Sequence, residues 1–440
     1  MSEPEGEVLM LAADPYVLRA CRTLGVRPVV VYPPYFRDHA LFPLPPDAIG
    51  VLVDDPRNPE SLLGALTRAG LADRKYRCVY TGHETGVVVA AALGQLLGIP
   101  ALPLRTALRF RDKVIQKRAL RAAGVAIADG VLIEDLADGA AVPELPYDQA
   151  VLKPVAGVAA QQTHRIESTA QLHRLARTIS ARSPQRAFLL EEFVDGEELT
   201  ADGVVSGGRI ELLCVGQYRL PLMATIAAQA PLTLYKYEAD RHGRRSAEVA
   251  PIAAATLAAL GLTDGVFHIE LFRRPDGTLV VGEAAARRGG LLIHEIVQRK
   301  YGVHLGEAAL RCALGEPVDV RVTPVPETVG GVCLPLRPGT LVDCPTPAEL
   351  EQLPGVEYVR FELPLGTRSE ATARTSQQYV GQALVVADSD AEFYSRCDNV
   401  VSAFLDRCVL VPDAAATGEL RAWQQRVHPE RDFAARFYGD

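Results

Sequence analysis

Over the first hundred positions, short apolar runs alternate with stretches whose apolar residues recur at helical spacing. Strands are predicted over residues 8–12 (VLMLA), 29–32 and 78–81, with helices over 16–24 and 86–97. Pro33 and Pro34 halt the second strand, and Gly25 and Gly98 stand where a left-handed C-cap would close each helix. Strand and helix in alternation predict βαβ units around a parallel sheet. After Pro103 the rhythm changes. A Lys- and Arg-rich helix is predicted over 111–123, a short strand over 150–153, a helix over 169–182, a strand over 187–193 and antiparallel structure over 198–218. Residues 316–328 (EPVDVRVTPVPET) read as a linker, and short strands over 331–335, 356–362 and 382–387 suggest a small mixed C-terminal unit. There is no internal repeat.

A chain of 440 residues is too long for one small core and suits about three compact units. The formal net charge of −8 argues against a nucleic-acid or anionic-membrane partner, while leaving room for a local basic pocket. No stretch approaches the ~20 apolar residues of a membrane span, and the acidic start MSEPEGE lacks the basic region of a secretory signal. Eight scattered cysteines form no CxxC pair, which disfavours a zinc knuckle or a thioredoxin-like centre. The cytoplasm is the expected compartment. Ala12-Ala13-Asp14-Pro15 stands where a dehydrogenase would carry GxGxxG, so that reading is disfavoured.

The most informative stretch is GVFHIELFRRPDGTLVVGEAAARRGG, residues 265–290. Pro275-Asp276-Gly277-Thr278 is a strong turn signal between two β-like runs. A two-residue loop at Asp276-Gly277, or a four-residue loop from Pro275 to Thr278, sets Glu270 opposite Glu283. A three-residue loop would shift the register by one and spoil the match. In the matched register His268, Glu270, Glu283, Ala285 and Arg287 share one face. Like charges directly opposite destabilise a strand pair, so two such carboxylates call for a cation or a shared proton. Hard oxygen ligands on a rigid hairpin suit Mg²⁺, and Arg287 could face an anion held beside it. The alternative is a solvated hairpin face with incidental glutamates.

Several segments together resemble the ATP-grasp superfamily over roughly residues 105–320. Arg111-Asp112-Lys113, with Lys117, Leu120 and Ala123-Gly124-Val125, is similar to the family's opening segment. Val151-Leu152-Lys153-Pro154 is similar to its lysine-bearing strand, and Leu190 to Glu198 (LEEFVDGEE) to its hinge. The Glu270/Glu283 hairpin resembles its metal site. Within the superfamily, Glu283-Ala284-Ala285-Ala286-Arg287-Arg288-Gly289-Gly290, preceded by His268, resembles the dipeptide-forming L-amino-acid ligases, the group of bacilysin synthetase. Most other members carry Asn where Ala285 stands, which disfavours a purine-pathway ligase. No biotinyl attachment site is present.

The resemblance implies an α/β and α+β architecture: an N-terminal Rossmann-like pre-grasp domain (1–105), a two-lobed ATP-grasp module (106–193 and 194–318) and a small mixed C-terminal subdomain (326–440). It implies that Lys113 and Lys153 meet the ATP phosphates, and that Glu191 and the backbone of Glu192, Phe193 and Val194 meet the adenine. Glu198 would take the ribose, Glu270 and Glu283 the Mg²⁺, with Mn²⁺ as a substitute. Arg287 would stabilise the reacting centre, and His268 either steers the amine or holds the hairpin. The expected activity joins a small-molecule carboxylate to an amine through an acyl phosphate, in a homodimer. The resemblance implies that the loop after Pro154 closes over the ATP phosphates; it holds one glycine where relatives have several small residues, which keeps open a nucleotide-binding pseudoenzyme or partner without turnover. The segment Arg241 to Arg245 reads as an exposed loop.

Overall fold

The computed structural model describes residues 6–34, 44–228, 230–236, 243–369 and 379–411. Four parallel strands, β1 (Glu7–Leu11), β2 (Arg27–Tyr32), β3 (Ile49–Leu52) and β4 (Tyr76–Tyr80), form the first sheet in the order β3-β2-β1-β4. Val8 and Met10 enter one apolar cluster and Leu9 and Leu11 another, so both faces of β1 are covered. Helices α1 (Pro15–Thr23), α2 (Pro59–Arg68) and α3 (Val87–Leu97) supply the cover. Asp14 caps α1 by accepting from the N–H groups of Tyr16 and Val17. The strand β3 and helix α2 were not foreseen from the sequence.

The helix predicted over 111–123 is observed over 113–122, and a second helix that the sequence did not announce precedes it. α4 (Leu104–Arg111) ends where the Asp112 carboxylate caps α5 (Lys113–Ala122), accepting from Val114 N and Ile115 N at 2.9 Å each. An extended Asp112 therefore turns the chain between Arg111 and Lys113. The second sheet is antiparallel, in the order β5 (Gly130–Ile133), β8 (Phe188–Glu192), β6 (Ala150–Pro154), β7 (His164–Ile166), with α6 (Thr169–Ser180) packed on it.

The third sheet has eight strands, all antiparallel. Five come from the middle of the chain: β9 (Glu197–Ser206), β10 (Arg209–Tyr218), β11 (Thr233–Lys236), β12 (Gly265–Arg273) and β13 (Leu279–Ala285). Helices α7 (Leu222–Ala228), α8 (Gly243–Leu260), α9 (Ile293–Tyr301) and α10 (Leu305–Leu314) accompany them. The remaining three strands, β14 (Thr328–Pro335), β16 (Val356–Phe361) and β18 (Tyr379–Ala387), continue that sheet in the order β13-β12-β9-β10-β11-β14-β18-β16. Three short strands, β15 (Gly339–Asp343), β17 (Arg368–Ser369) and β19 (Val409–Val411), make a separate sheet, and α11 (Asp390–Arg407) packs on β14 and β18. One large core cluster accordingly runs from Leu257 and Ile269 to Val385 and Phe404. Residues 316–327 contain no helix or strand, in keeping with a connecting segment. Of the expected loop at 241–245, Arg241 and His242 lie outside the described residues, and Gly243 to Arg245 open α8.

Candidate active site

The hairpin β12–β13 sets Glu270 opposite Glu283. The turn does not do this alone. Arg274 N donates to Thr278 O at 2.9 Å, and Arg273, Phe272 and Leu271 pair with Leu279, Val280 and Val281, a three-residue loop whose register would leave Glu270 facing Gly282. A β-bulge between Leu271 and Glu270 absorbs Gly282 and restores the pairing of the two glutamates. A β-carbon at 282 would lie 2.5 Å from the Phe272 ring, so glycine suits the bulge.

The face carrying the carboxylates is surrounded by charge. Lys113, at the start of α5, donates to Glu283 Oε1 at 2.7 Å. Burial opposes the charge of Glu283, but Lys113 and Lys153 outweigh it and hold the carboxyl below its ordinary range. One turn further along α5, Lys117 donates to Glu191 Oε1 at 2.5 Å and to Ala128 O at 3.0 Å. Glu191 Oε2 pairs with Lys153 at 2.5 Å. Burial pushes Lys117 down in pKa; for Lys153 burial acts the same way, but Glu191, Glu283 and Glu270 outweigh it and raise the amine. Gln116 ties α5 to the hairpin through a reciprocal pair, Nε2 to Ala284 O at 2.8 Å and Ala284 N to Oε1 at 2.9 Å.

Glu191 thus bridges the buried Lys117 and the half-buried Lys153, an arrangement different from a carboxylate held out toward adenine. Glu192 accepts from Asp129 N at 3.2 Å and pairs with Arg274. Phe193 N donates to Gln149 O at 3.0 Å, so that N–H is already taken within the protein. Val194 packs with Ala128 and Val280 in a small apolar cluster that Phe272 flanks. Glu198 is buried, accepts from Leu222 N of α7 at 2.6 Å, and is pushed up in pKa first by burial and then by Glu270.

His268 stands with Nδ1 2.8 Å from Asp202 Oδ1 and Nε2 3.7 Å from Glu270 Oε1. Burial would lower its pKa, but Asp202 and Glu270 raise it to about 9, so the imidazole is cationic between two carboxylates. That geometry fits the hairpin-holding alternative. Arg287 lies just beyond β13, with Nε 2.6 Å from Glu84 Oε2. Glu84 opens a short 3-10 turn, Glu84–Gly86, in the connection after β4, at the carboxyl end of the parallel sheet, where α/β sheets collect ligands. Its neighbour Arg288 is half-buried over the Tyr16 ring, 4.5 Å from its centroid, and pairs with Asp14 at 3.4 Å.

Sequence reasoning gave no role to Lys117, Gln116, Asp202, Glu84 or Arg288. Lys117 had a signal: two lysines at i and i+4 repel each other on one helix face, and burying both requires acidic partners. Two hard oxygen donors, with no cluster of three His, Cys, Asp or Glu side chains among the described residues, suit a divalent cation that keeps phosphate oxygens and water for its other positions.

The sequence profile of the ATP-grasp domain matches residues 147–295, which include β6, the hinge and the hairpin. The match to an ATP-grasp domain is confined to that middle part of the chain. Its sequence is 27% identical over 307 residues to the L-arginine-specific L-amino acid ligase of Bacillus subtilis, covering 69% of this chain and 72% of that protein. It is 29% identical over 211 residues to human carnosine synthase 1, covering 44% of this chain and 24% of that longer protein. The crystal structure of an L-amino acid ligase from Bacillus licheniformis superposes with a TM-score of 0.76 at 21% identity, covering 94% of this chain and 100% of that one. The ATP-grasp fold expected from the motifs is therefore the observed fold.

Proposed function

We propose that this ATP-grasp protein is an ADP-forming carboxylate–amine ligase that takes an amino acid as at least one substrate. The observation that carries the reading is the opposed pair Glu270 and Glu283, with Lys113, Lys153 and Arg287 gathered around it. Likeness to an amino-acid ligase over more than two thirds of both chains supports it. Residues 1–105, 106–193, 194–318 and 326–440 serve as pre-grasp domain, two grasp lobes and terminal subdomain. The working form is a cytoplasmic homodimer without a nucleic-acid partner.

Glu270 and Glu283 would hold Mg²⁺, or Mn²⁺ in its place, which when bound offsets charge on the transferring phosphoryl group. Lys113 and Lys153 present point charges to the ATP phosphates, and Glu191, gripping Lys117 and Lys153, keeps that pair of ammonium groups together. Val194 offers the adenine apolar packing and its N–H, since the N–H of Phe193 already donates to Gln149, while Glu198 faces the ribose. An oxygen of the substrate carboxylate attacks the γ-phosphorus, the bond to the β-phosphate oxygen breaks, and ADP departs from an acyl phosphate. The amine then attacks the acyl carbon, the carbon–oxygen bond to phosphate breaks, and the amine proton leaves with phosphate. Arg287 stabilises the charge on the tetrahedral oxygen. Glu84, paired with Arg287 beside the carboxyl end of β4, is placed to take a substrate ammonium group.

A phosphate-release screen over pairs of amino acids and other carboxylates, with single-substrate controls, tests the reading. Release that requires ATP and a productive pair is expected. Mg·ATP binding with no turnover on any pair would favour a nucleotide-binding partner instead, a reading that finds no support in the relatives.

A further inference from the structure

The loop between β6 and β7 has backbone conformations that its residues do not favour. Ala159, Ala160 and Gln162 take φ values of +51°, +55° and +54°, while the single glycine of the loop stands elsewhere, at 157. A β-carbon in the left-handed region crowds the next carbonyl, and such strain persists only where the surroundings over-determine it. The surroundings here are specific. Arg111 Nη1 donates to Gly157 O at 3.1 Å and Nη2 donates to Ala156 O. Lys113 N donates to Val155 O at 2.9 Å, and Lys113 Nζ reaches Gly157 O at 3.4 Å. At the far end Gln162 Nε2 donates to Ser183 Oγ at 3.1 Å.

Asp112 makes this possible, because the chain turns there and sends the side chains on either side of it to the same loop. Lys113 is shared between that loop and Glu283, and a phosphate would compete for it. Arg111 gives both of its terminal nitrogens to the loop, and its planar fork matches two successive carbonyls as an ammonium cannot. We propose that Arg111 is a positioning residue that holds loop 155–163 in the conformation that receives the ATP phosphates, acting through the Ala156 and Gly157 carbonyls without touching the nucleotide. The clamp replaces what glycine-rich sequence would otherwise supply by flexibility. This rests on the ligase reading, since it assigns the loop to ATP.

Calorimetry with Mg·ATP and steady-state kinetics on the full-length wild type, Arg111→Ala and Arg111→Lys test it. Losing two hydrogen bonds from a charged donor should raise the Mg·ATP dissociation constant about tenfold in Arg111→Ala. At saturating ATP, kcat stays within about twofold, and amide exchange accelerates in 155–163 but not in β1 or β4. Arg111→Lys, which keeps charge and one hydrogen bond, should fall between the two, and it carries the test if the alanine variant does not fold. Wild-type affinity in either variant overturns the proposal. So does a fall in kcat and melting temperature together at unchanged affinity, which would mark a structural role. A wild type that does not bind Mg·ATP defeats the ligase reading and this inference with it; a wild type that binds, with variants that bind equally, defeats the inference alone.

Discussion

Replacing Lys117 with methionine keeps most of the unbranched side chain and removes its charge. Three acceptors lose a donor: Glu191 Oε1 at 2.5 Å, Ala128 O at 3.0 Å and Val281 O at 3.4 Å. Breaking a buried ion pair costs about 3–5 kcal/mol when the partner charge is stranded. Glu191 is not stranded here, because Lys153 stays on its other oxygen, so the lower end, about 3 kcal/mol, is the expected loss. A second consequence concerns ATP. With Lys117 gone, Lys153 alone must neutralise Glu191 and has less to offer a phosphate. A charged hydrogen bond of about 1.5–3 kcal/mol corresponds to roughly a ten- to hundredfold rise in the Mg·ATP dissociation constant. Urea unfolding followed by circular dichroism reads the first effect and calorimetry the second. The double variant Lys117→Met, Glu191→Gln should be less stable than Lys117→Met alone, since Lys153 then loses its carboxylate partner as well. Lys117→Met with a wild-type urea midpoint and wild-type Mg·ATP affinity would refute the claim that one carboxylate organises two lysines.

Two further outcomes follow from the hairpin. Glu283→Ala should abolish substrate-dependent ADP release while leaving circular dichroism unchanged, and near-normal turnover would reject the assignment of this carboxylate to the metal. Gly282→Ala places a β-carbon 2.5 Å from the Phe272 ring, so it should cost about 1–3 kcal/mol by overpacking and lower kcat/KM by disturbing the bulge that aligns the glutamates; a variant as stable and active as wild type would show that the bulge tolerates a side chain.

The sequence made the N-terminal βαβ alternation legible because each strand and helix is punctuated locally, as at Gly25 and Gly98, both in the left-handed conformation. β3 has only four residues, and α2 announced itself only through Asn58 and Pro59. The carboxylate pairing was legible from periodicity, yet for an incomplete reason: the turn has the odd loop that should have spoiled it, and a bulge at Gly282 compensates. A lone glycine inside a strand is the available signal for such a bulge. The break between α4 and α5 was also written locally, in Asp112 as an N-cap. No local pattern reveals that β14, β16 and β18 extend the sheet of the central hairpin, because pairing partners distant in sequence are chosen by tertiary packing. The same holds for Glu84, whose role depends on Arg287 arriving from 203 positions away.

The central claim is activation of a carboxylate by phosphoryl transfer, and hydroxylamine trapping tests it most directly. Purified protein is incubated with Mg·ATP, an amino acid that supports phosphate release and excess hydroxylamine, and the products are identified by mass spectrometry. An aminoacyl hydroxamate formed together with ADP and phosphate is the expected result, and both should vanish in Glu283→Ala. A hydroxamate accompanied by AMP and pyrophosphate, or amide formation with no trappable acyl intermediate, would contradict the account.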